Sequence, residues 1–428
     1  MNDAIKVKEA IDIVSYIGRF VRLKKVGRNF VGLCPFHGEN SPSFNVNPER
    51  QIFKCFGCNE GGDVISFVMK RDGLSFADAL KMLADEEGIQ IESGARSKQS
   101  RDKEERMYEL LELSAKFYHH LLYSHEVGRD ARLYLEKRGF FLSDNILEQF
   151  MIGYAPESWD SLGNFLLKKG FELEEMVDAG VVIKKNKGRS FYDMFRNRIT
   201  YPLYNKLGRV VGFSGRVLDN SKPKYINTAE TALFHKREFL FGFYQAREHI
   251  RRENSVIIVE GEMDMLSSYK AGVKNVVAVK GSSLTHEHLQ LLSKICGRLL
   301  LCFDADKAGD AASVKAIYDA IEKGFEVKVV QLPDGKDADE CIRKDEDIWR
   351  SSLENALAFY DFMIASSLRR HSLISGQNKS QVVNEIVPLL KGIKDVVVRS
   401  HYISRLADVV GLKEDVVVAA MRSGSGLV

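Results

Sequence analysis

No run of apolar residues in the chain is long enough to span a bilayer. The first dozen residues carry Asp3, Lys6, Lys8, Glu9 and Asp12 among their hydrophobic neighbours, so they lack the core of a signal peptide. These absences predict a cytoplasmic protein with no membrane partner. Cysteine is also scarce, and six in 428 residues exclude a disulfide scaffold. Cys296, Cys302 and Cys341 are scattered and read as packing residues, while Cys34, Cys55 and Cys58 cluster. There is no Gly-x-x-x-x-Gly-Lys-[Ser/Thr], which excludes a fused P-loop motor. From 92 to 106 almost every residue is small or charged. No core can be built from such a stretch, so it reads as a tether between domains.

What is present is unevenly charged. From Lys184 to Arg252 there are sixteen Lys or Arg against five Asp or Glu, a balance of +11. The net charge is +3, so the remaining chain carries −8. Within the basic part, Phe195-Arg-Asn-Arg198, Gly208 to Arg216, Pro223-Lys224-Tyr225-Ile-Asn227 and Phe234 to Gly242 alternate hydrophobic pairs with cations and turn residues. That pattern predicts a curled antiparallel sheet with a cationic face. Interleaved rings and cations suit a single-strand groove, whereas an ordinary solvated face needs the cations only for solubility.

The acidic counterpart lies between Ser255 and Asp310. Ser255-Val-Ile-Ile-Val259 runs into Glu260-Gly-Glu-Met-Asp264, and Leu299-Leu-Leu-Cys-Phe303 runs into Asp304-Ala-Asp306. Short apolar runs that stop at acids read as buried parallel strands with carboxylates at their carboxyl ends. That sheet edge is where open α/β folds do their chemistry. Three acids gathered there repel one another unless a cation joins them, and oxygen-only donors favour Mg²⁺ or Mn²⁺. Helices are predicted at 263–271, 285–295 and 309–323, with strands at 275–279 and 326–331, a βαβ alternation. A second acidic cluster, Asp334 to Glu340, follows the last strand. Helix capping accounts for single acids of this kind but poorly for the whole set.

Near the N-terminus, Cys34-Pro-Phe-His37 is followed by Cys55-Phe-Gly-Cys58. Two knuckles, each with two residues between ligands, close a tetrahedral site, and four protein ligands point to structural Zn²⁺. Phe36, Phe44, Phe53 and Phe56 either pack a small core around that metal or stack on bases.

These strings carry a family resemblance. Glu-Gly-x-Met-Asp followed by Asp-x-Asp resembles the Toprim domain of topoisomerases and primases. There the Glu is proposed as general acid/base and the Asp-x-Asp holds catalytic metal, which implies Glu260, Asp304 and Asp306. Asp264 and the Asp337/Asp339 pair match further acidic positions of the primase branch. Glu262 stands where relatives commonly carry an aromatic. The zinc knuckles and their flanks resemble the ribbon of bacterial DnaG-type primases, which helps select the template start site. The basic strings match that family's polymerase core, which implies template, nucleotide or primer contacts for Arg216, Lys224, Tyr225 and Lys236. Arg196 and Asn227 are weaker matches. Lys280-Gly-Ser-Ser-Leu-Thr285 departs from the usual wording but keeps a small, Gly-rich turn.

The resemblance implies a multidomain α+β and α/β protein. A zinc-binding domain at 1–92 and a charged linker at 93–106 precede a basic mixed α/β subdomain at 107–252. A Toprim parallel-sheet subdomain at 253–341 and a C-terminal helical bundle at 342–428 follow. It implies de novo synthesis of RNA primers on single-stranded DNA from NTPs, with an RNA–DNA hybrid as product. Full-length relatives usually carry one more helical domain that docks on the replicative helicase, and the chain is expected to lack it. Two other readings are a Toprim nuclease, which breaks phosphodiesters with the same acids, and a non-catalytic zinc/Toprim DNA-binding protein.

Overall fold

Helices Asp3–Ala10 and Ile13–Gly18 open the fold, and Asp12 caps the second by accepting from the Ser15 N–H at 2.8 Å. A five-stranded antiparallel meander follows in chain order: Lys24–Val26, Asn29–Gly32, Phe44–Asn47, Ile52–Cys55 and Gly61–Gly62. Phe44 and Val46 alternate inward with Asn45 and Asn47 outward, as a half-buried strand requires. Phe44 and Phe53 stack at 5.2 Å, and Phe67 meets Phe53 edge-on at 5.7 Å. Phe36 packs against the same core, whereas Phe56 is 73% exposed. Three of the four phenylalanines therefore build the core, and Phe56 stays exposed.

This computed structural model describes residues 3–89, 98–185, 190–219, 221–280, 284–302, 311–333, 337–371 and 373–423, with the side chains of 98–101, 311–313 and 423 excepted. It divides into two compact units, 1–256 with 261–296, and 257–260 with 297–428.

In the first unit the charged stretch is not wholly a tether. Residues 98–106 form the opening turns of the helix Lys98–Ser124, because straight-chain Lys, Gln, Arg and Glu are good helix formers. Arg106 anchors this part by donating to the Gly170 carbonyl at 2.6 Å, and Arg209 pairs with Glu105. The zinc module is also held rather than loose. Asp78 pairs with Lys206 at 2.5 Å, and Leu207 joins the module's core. Phe76, which its helical spacing predicts to be inward, is 49% exposed because it opens the helix Phe76–Glu86.

The basic segment forms an antiparallel sheet in the order Tyr225–Asn227, Val210–Val217, Arg198–Tyr204, Gly153–Ala155. All eight residues of Val210–Val217 are buried. The long helix covers one face, with Tyr118 edge-on to Phe213 at 5.6 Å. Its approach needs glycine, since a Cβ on Gly153 would meet the Tyr118 backbone at 2.6 Å. The expected open cationic face is correspondingly reduced. Arg198 and Arg216 are buried, and Arg198 spends its guanidinium on the carbonyls of Gly215, Pro223 and Lys224.

Strand Ser255–Val259 is shared between the units by its sequence. In the second unit it is followed in the sheet by Arg298–Leu301, Glu326–Val329 and Leu357–Ala358. The middle pair is parallel in the register Arg298↔Glu326 to Leu301↔Val329, with the helix Ala311–Glu322 as its crossover. Leu357–Ala358 adds an antiparallel edge where the periodicity predicts helix. Beyond it, helices Phe359–Arg370, Gly376–Lys391, Val396–Val410 and Glu414–Ser423 form the tail bundle. Among the described residues no helix is long and apolar enough to cross a membrane.

Candidate functional site

Cys34, His37, Cys55 and Cys58 converge, with their ligand atoms all within 4.8 Å of one another. The Cys34 and Cys58 sulfurs are 3.8 Å apart. Tetrahedral Zn–S bonds of about 2.3 Å put two sulfurs about 3.8 Å apart, so the site fits zinc without rearrangement. The Phe36 N–H donates to Cys34 Sγ at 3.3 Å and the Cys58 N–H to Cys55 Sγ at 3.4 Å. Burial pushes the Cys34 thiol up. It also works against ionisation of Cys55, but hydrogen bonds to the sulfur, the Cys58 N–H among them, outweigh it and bring that thiol down to about 7. Gly57 lets the second knuckle close, since a Cβ there would sit 2.6 Å from His37 Nε2.

A partner of this centre is invisible to ligand spacing. His37 Nδ1 faces Cys55 Sγ at 3.8 Å, while Nε2 faces Glu39 Oε2 at 3.3 Å. Glu39 also accepts from the Cys34 N–H at 2.7 Å and from the Ser43 N–H and hydroxyl. It therefore ties the first knuckle to the loop at Ser43 and orients the imidazole, as outer carboxylates do at metal sites.

At the carboxylate edge, Glu260 is half-buried directly after strand Ser255–Val259. Asp264 accepts from the Gly261 N–H at 3.1 Å and so caps the helix Glu262–Lys270. Asp337 caps the helix Ala338–Lys344 through the Glu340 N–H at 2.8 Å, and Asp339 is buried with Arg343 at 3.2 Å. Each of these three has a structural task in addition to any metal role. Asp304 and Asp306 lie outside the described residues.

The basic site residues separate into two groups. Arg216 and Tyr225 are register partners across adjacent strands, and Ser214 pairs with Asn227 beside them. Arg216 Nη1 donates to the Tyr225 hydroxyl, and its guanidinium also lies 5.7 Å from the Tyr134 ring. Burial raises the Tyr225 pKa. Arg216 Nε and Asn227 Oδ1 are buried without a hydrogen-bond partner among the described residues, one donor and one acceptor. Lys224 and Lys236 are exposed instead. Arg196 is half-buried over the Trp159 ring at 4.4 Å and beside Tyr192 at 5.2 Å. Trp159 is 61% exposed, and no motif in the sequence singles it out.

Glu262 also meets this sheet. Its carboxylate accepts from Ser214 Oγ at 2.6 Å and lies 3.3 Å from Lys280 Nζ, with both charged side chains buried. Burial pushes the Lys280 pKa down and Lys236 adds to that, while Glu262 opposes it.

A zinc ribbon, a basic sheet and a strand-end carboxylate on a parallel sheet define a nucleotidyl-polymerising core of the Toprim class. Family comparison agrees along the chain: a CHC2 zinc finger matches residues 2–99, the N-terminal domain of the DNA primase catalytic core 117–247, and a Toprim-like domain 257–342. The DNA primase of Halalkalibacterium halodurans is 37% identical over 414 residues, covering 96% of this chain and 69% of that protein. That of Clostridium acetobutylicum is 37% identical over 416 residues, covering 96% and 68%. The crystal structure of the Aquifex aeolicus primase zinc-binding and RNA polymerase domains aligns with a TM-score of 0.63 and 32% identity, covering 98% of this chain and 99% of that one. A DnaG primase catalytic domain bound to single-stranded DNA aligns with a TM-score of 0.62 and 32% identity, covering 74% and 99%.

The chain belongs to the DnaG-type DNA primase family, and its activity is that of a DNA primase. One expectation is overturned. A model described as the DnaB-helicase binding domain of primase matches 360–415, so the region expected to be missing lies within the tail bundle. The helical periodicity of the tail is the same for a polymerase subdomain and a docking domain, which is why it misled.

Proposed function

We propose that the chain starts RNA primers de novo on single-stranded DNA by metal-dependent nucleotidyl transfer, with Glu260, Asp304 and Asp306 as the reacting-centre carboxylates. The observation that carries this reading is the Arg216 face of the basic sheet. Among the described residues Arg216 Nε and Asn227 Oδ1, on adjacent strands, have no hydrogen-bond partner, and this donor and acceptor suit a ligand that accepts and donates, as a nucleotide does. Arg216, Tyr225 and Asn227 would hold template or nucleotide, Lys224 and Lys236 would follow phosphates from the exposed rim, and Arg196 would present the Trp159 stack to a base.

Oxygen donors alone fit a hard divalent cation, Mg²⁺ or Mn²⁺, at Glu260, Asp304 and Asp306, with Asp264, Asp337 and Asp339 as further candidates. Such an ion, when bound, offsets charge on the triphosphate and the leaving pyrophosphate. The zinc ribbon would engage template near the start site through surface that includes exposed Phe56. The helices spanning 360–415 would dock on the replicative helicase. The enzyme would act in the cytoplasm, at the replication fork.

The direct test is Glu260→Gln, which keeps the shape and removes the charge. Primer synthesis is expected to fall at least about a hundredfold while single-strand binding stays within about twofold. Synthesis at the parent rate would remove Glu260 from the reacting centre.

A further inference from the structure

Glu262 has no role in the chemistry above, yet it is one of the few acids buried in the first unit, at 3% exposure. As the first residue of the helix Glu262–Lys270, an acid already complements the helix dipole from the surface, so burial is not needed for that. Its carboxylate instead joins three segments. Ser214 comes from the basic strand Val210–Val217, and Glu262 itself from the strand–helix turn two residues beyond Glu260. Lys280 comes from the residue after strand Val276–Ala278 and Val279, where it adopts a left-handed φ of 58°. A non-glycine residue in that conformation is held there by its surroundings.

The ion pair is not redundant. Among the described residues Lys280 Nζ has no hydrogen bond of good geometry, so Glu262 at 3.3 Å is its only compensation besides the Phe239 ring at 5.7 Å. Parting the Glu262 and Lys280 segments strands a buried charge, and sliding the basic strand breaks the Ser214–Glu262 hydrogen bond. The site lies among the proposed contact residues: Glu262 acts electrostatically on Tyr225, the hydrogen-bond partner of Arg216, and Lys236 acts on Lys280.

We infer that Glu262 and Lys280, with Ser214, form a positioning unit for primer synthesis that fixes the basic strand against the start of the helix Glu262–Lys270, two residues along the chain from Glu260. It touches neither substrate nor metal. The inference rests on the Glu260 reading above.

The experiment compares Glu262→Gln, Lys280→Met, the double variant and Ser214→Ala in steady-state primer synthesis, with single-strand binding and thermal melting measured alongside. Displacing reacting groups by a fraction of an ångström costs about tenfold to a hundredfold, so each charge-stranding single variant should lose that much kcat. KM for NTP and Kd for DNA should stay within about twofold. The double variant strands no charge and should recover to within about threefold of the parent. Ser214→Ala, which leaves both charges paired, should lose kcat by about threefold and keeps the test open if a single variant does not fold.

Three results would overturn the inference: a rise in KM with kcat unchanged for Lys280→Met, losses that simply multiply in the double variant, or single variants as active as the parent. Full synthesis by Glu260→Gln in the same assay would instead remove the reading on which the inference rests.

Discussion

Glu39 Oε2 lies 3.3 Å from His37 Nε2, while the other ring nitrogen, Nδ1, faces Cys55 Sγ at 3.8 Å. The carboxylate thereby selects which ring nitrogen faces the metal, and its other bonds hold the first knuckle and the Ser43 loop in place. Glu39→Gln should weaken zinc affinity about tenfold to a hundredfold, measured by competition with a chromophoric chelator. Cys58→Ser should release the metal outright, since a closed site tolerates no missing ligand. Equal affinity in Glu39→Gln and the parent would reduce Glu39 to a loop-capping residue.

His288 supplies a pH dependence. It is fully buried, with Nδ1 accepting from the Thr285 N–H at 3.2 Å and Nε2 facing the Phe239 carbonyl at 3.1 Å. Burial brings its pKa down to about 4, against the pull of the Phe239 carbonyl. The folded value lies below the unfolded value of 6.5, so this stabilisation is present above pH 6.5 and lost as pH falls toward 4. Between pH 7 and 4.5 the parent should lose about 2–3 kcal/mol more unfolding free energy than His288→Gln in denaturant titrations. Loss of zinc in acid affects both proteins alike. Parallel pH curves would show that His288 is not buried as a neutral ring.

Lys236 is exposed at the start of a short 3-10 turn, Lys236–Glu238, with its backbone N–H held by Glu230 at 2.9 Å. A phosphate contact there predicts that Lys236→Ala lowers the salt slope for single-stranded DNA by about 0.7. Fluorescence anisotropy at several salt concentrations reads it. An unchanged slope would make Lys236 an ordinary solvating residue.

The sequence was most legible where chemistry imposes spacing. Two knuckles of Cys-x-x-His and Cys-x-x-Cys allow few alternatives, and the four ligands converge as their spacing requires. The apolar run ending in acids located strand Ser255–Val259, because a strand buried on both faces has little room for polar residues, and the second run falls on Arg298–Leu301, which is buried on one face. Charge was the poorest guide. Lys98 to Arg106 looked unstructured because it has no apolar stripe, yet its residues continue a helix stabilised further along. Arg216 and Glu262 are buried in paired networks that only the tertiary structure reveals. Arg71 and Asp72 are a similar case. Asp72 beside Gly73 reads as a turn signal, and the turn is there, but the carboxylate also takes two bonds from buried Arg71, at 2.8 and 2.6 Å.

If the strand-end acids build RNA on a DNA template, Asp306→Ala should abolish synthesis in a primer-free assay. Single-stranded DNA, labelled NTPs and Mg²⁺ are supplied to both proteins. The parent should make short, alkali-labile products and the variant none, with DNA binding within about twofold because the phosphate-binding cations are untouched. Synthesis by the variant at the parent rate, or cleavage of the template in place of copying, would contradict this role.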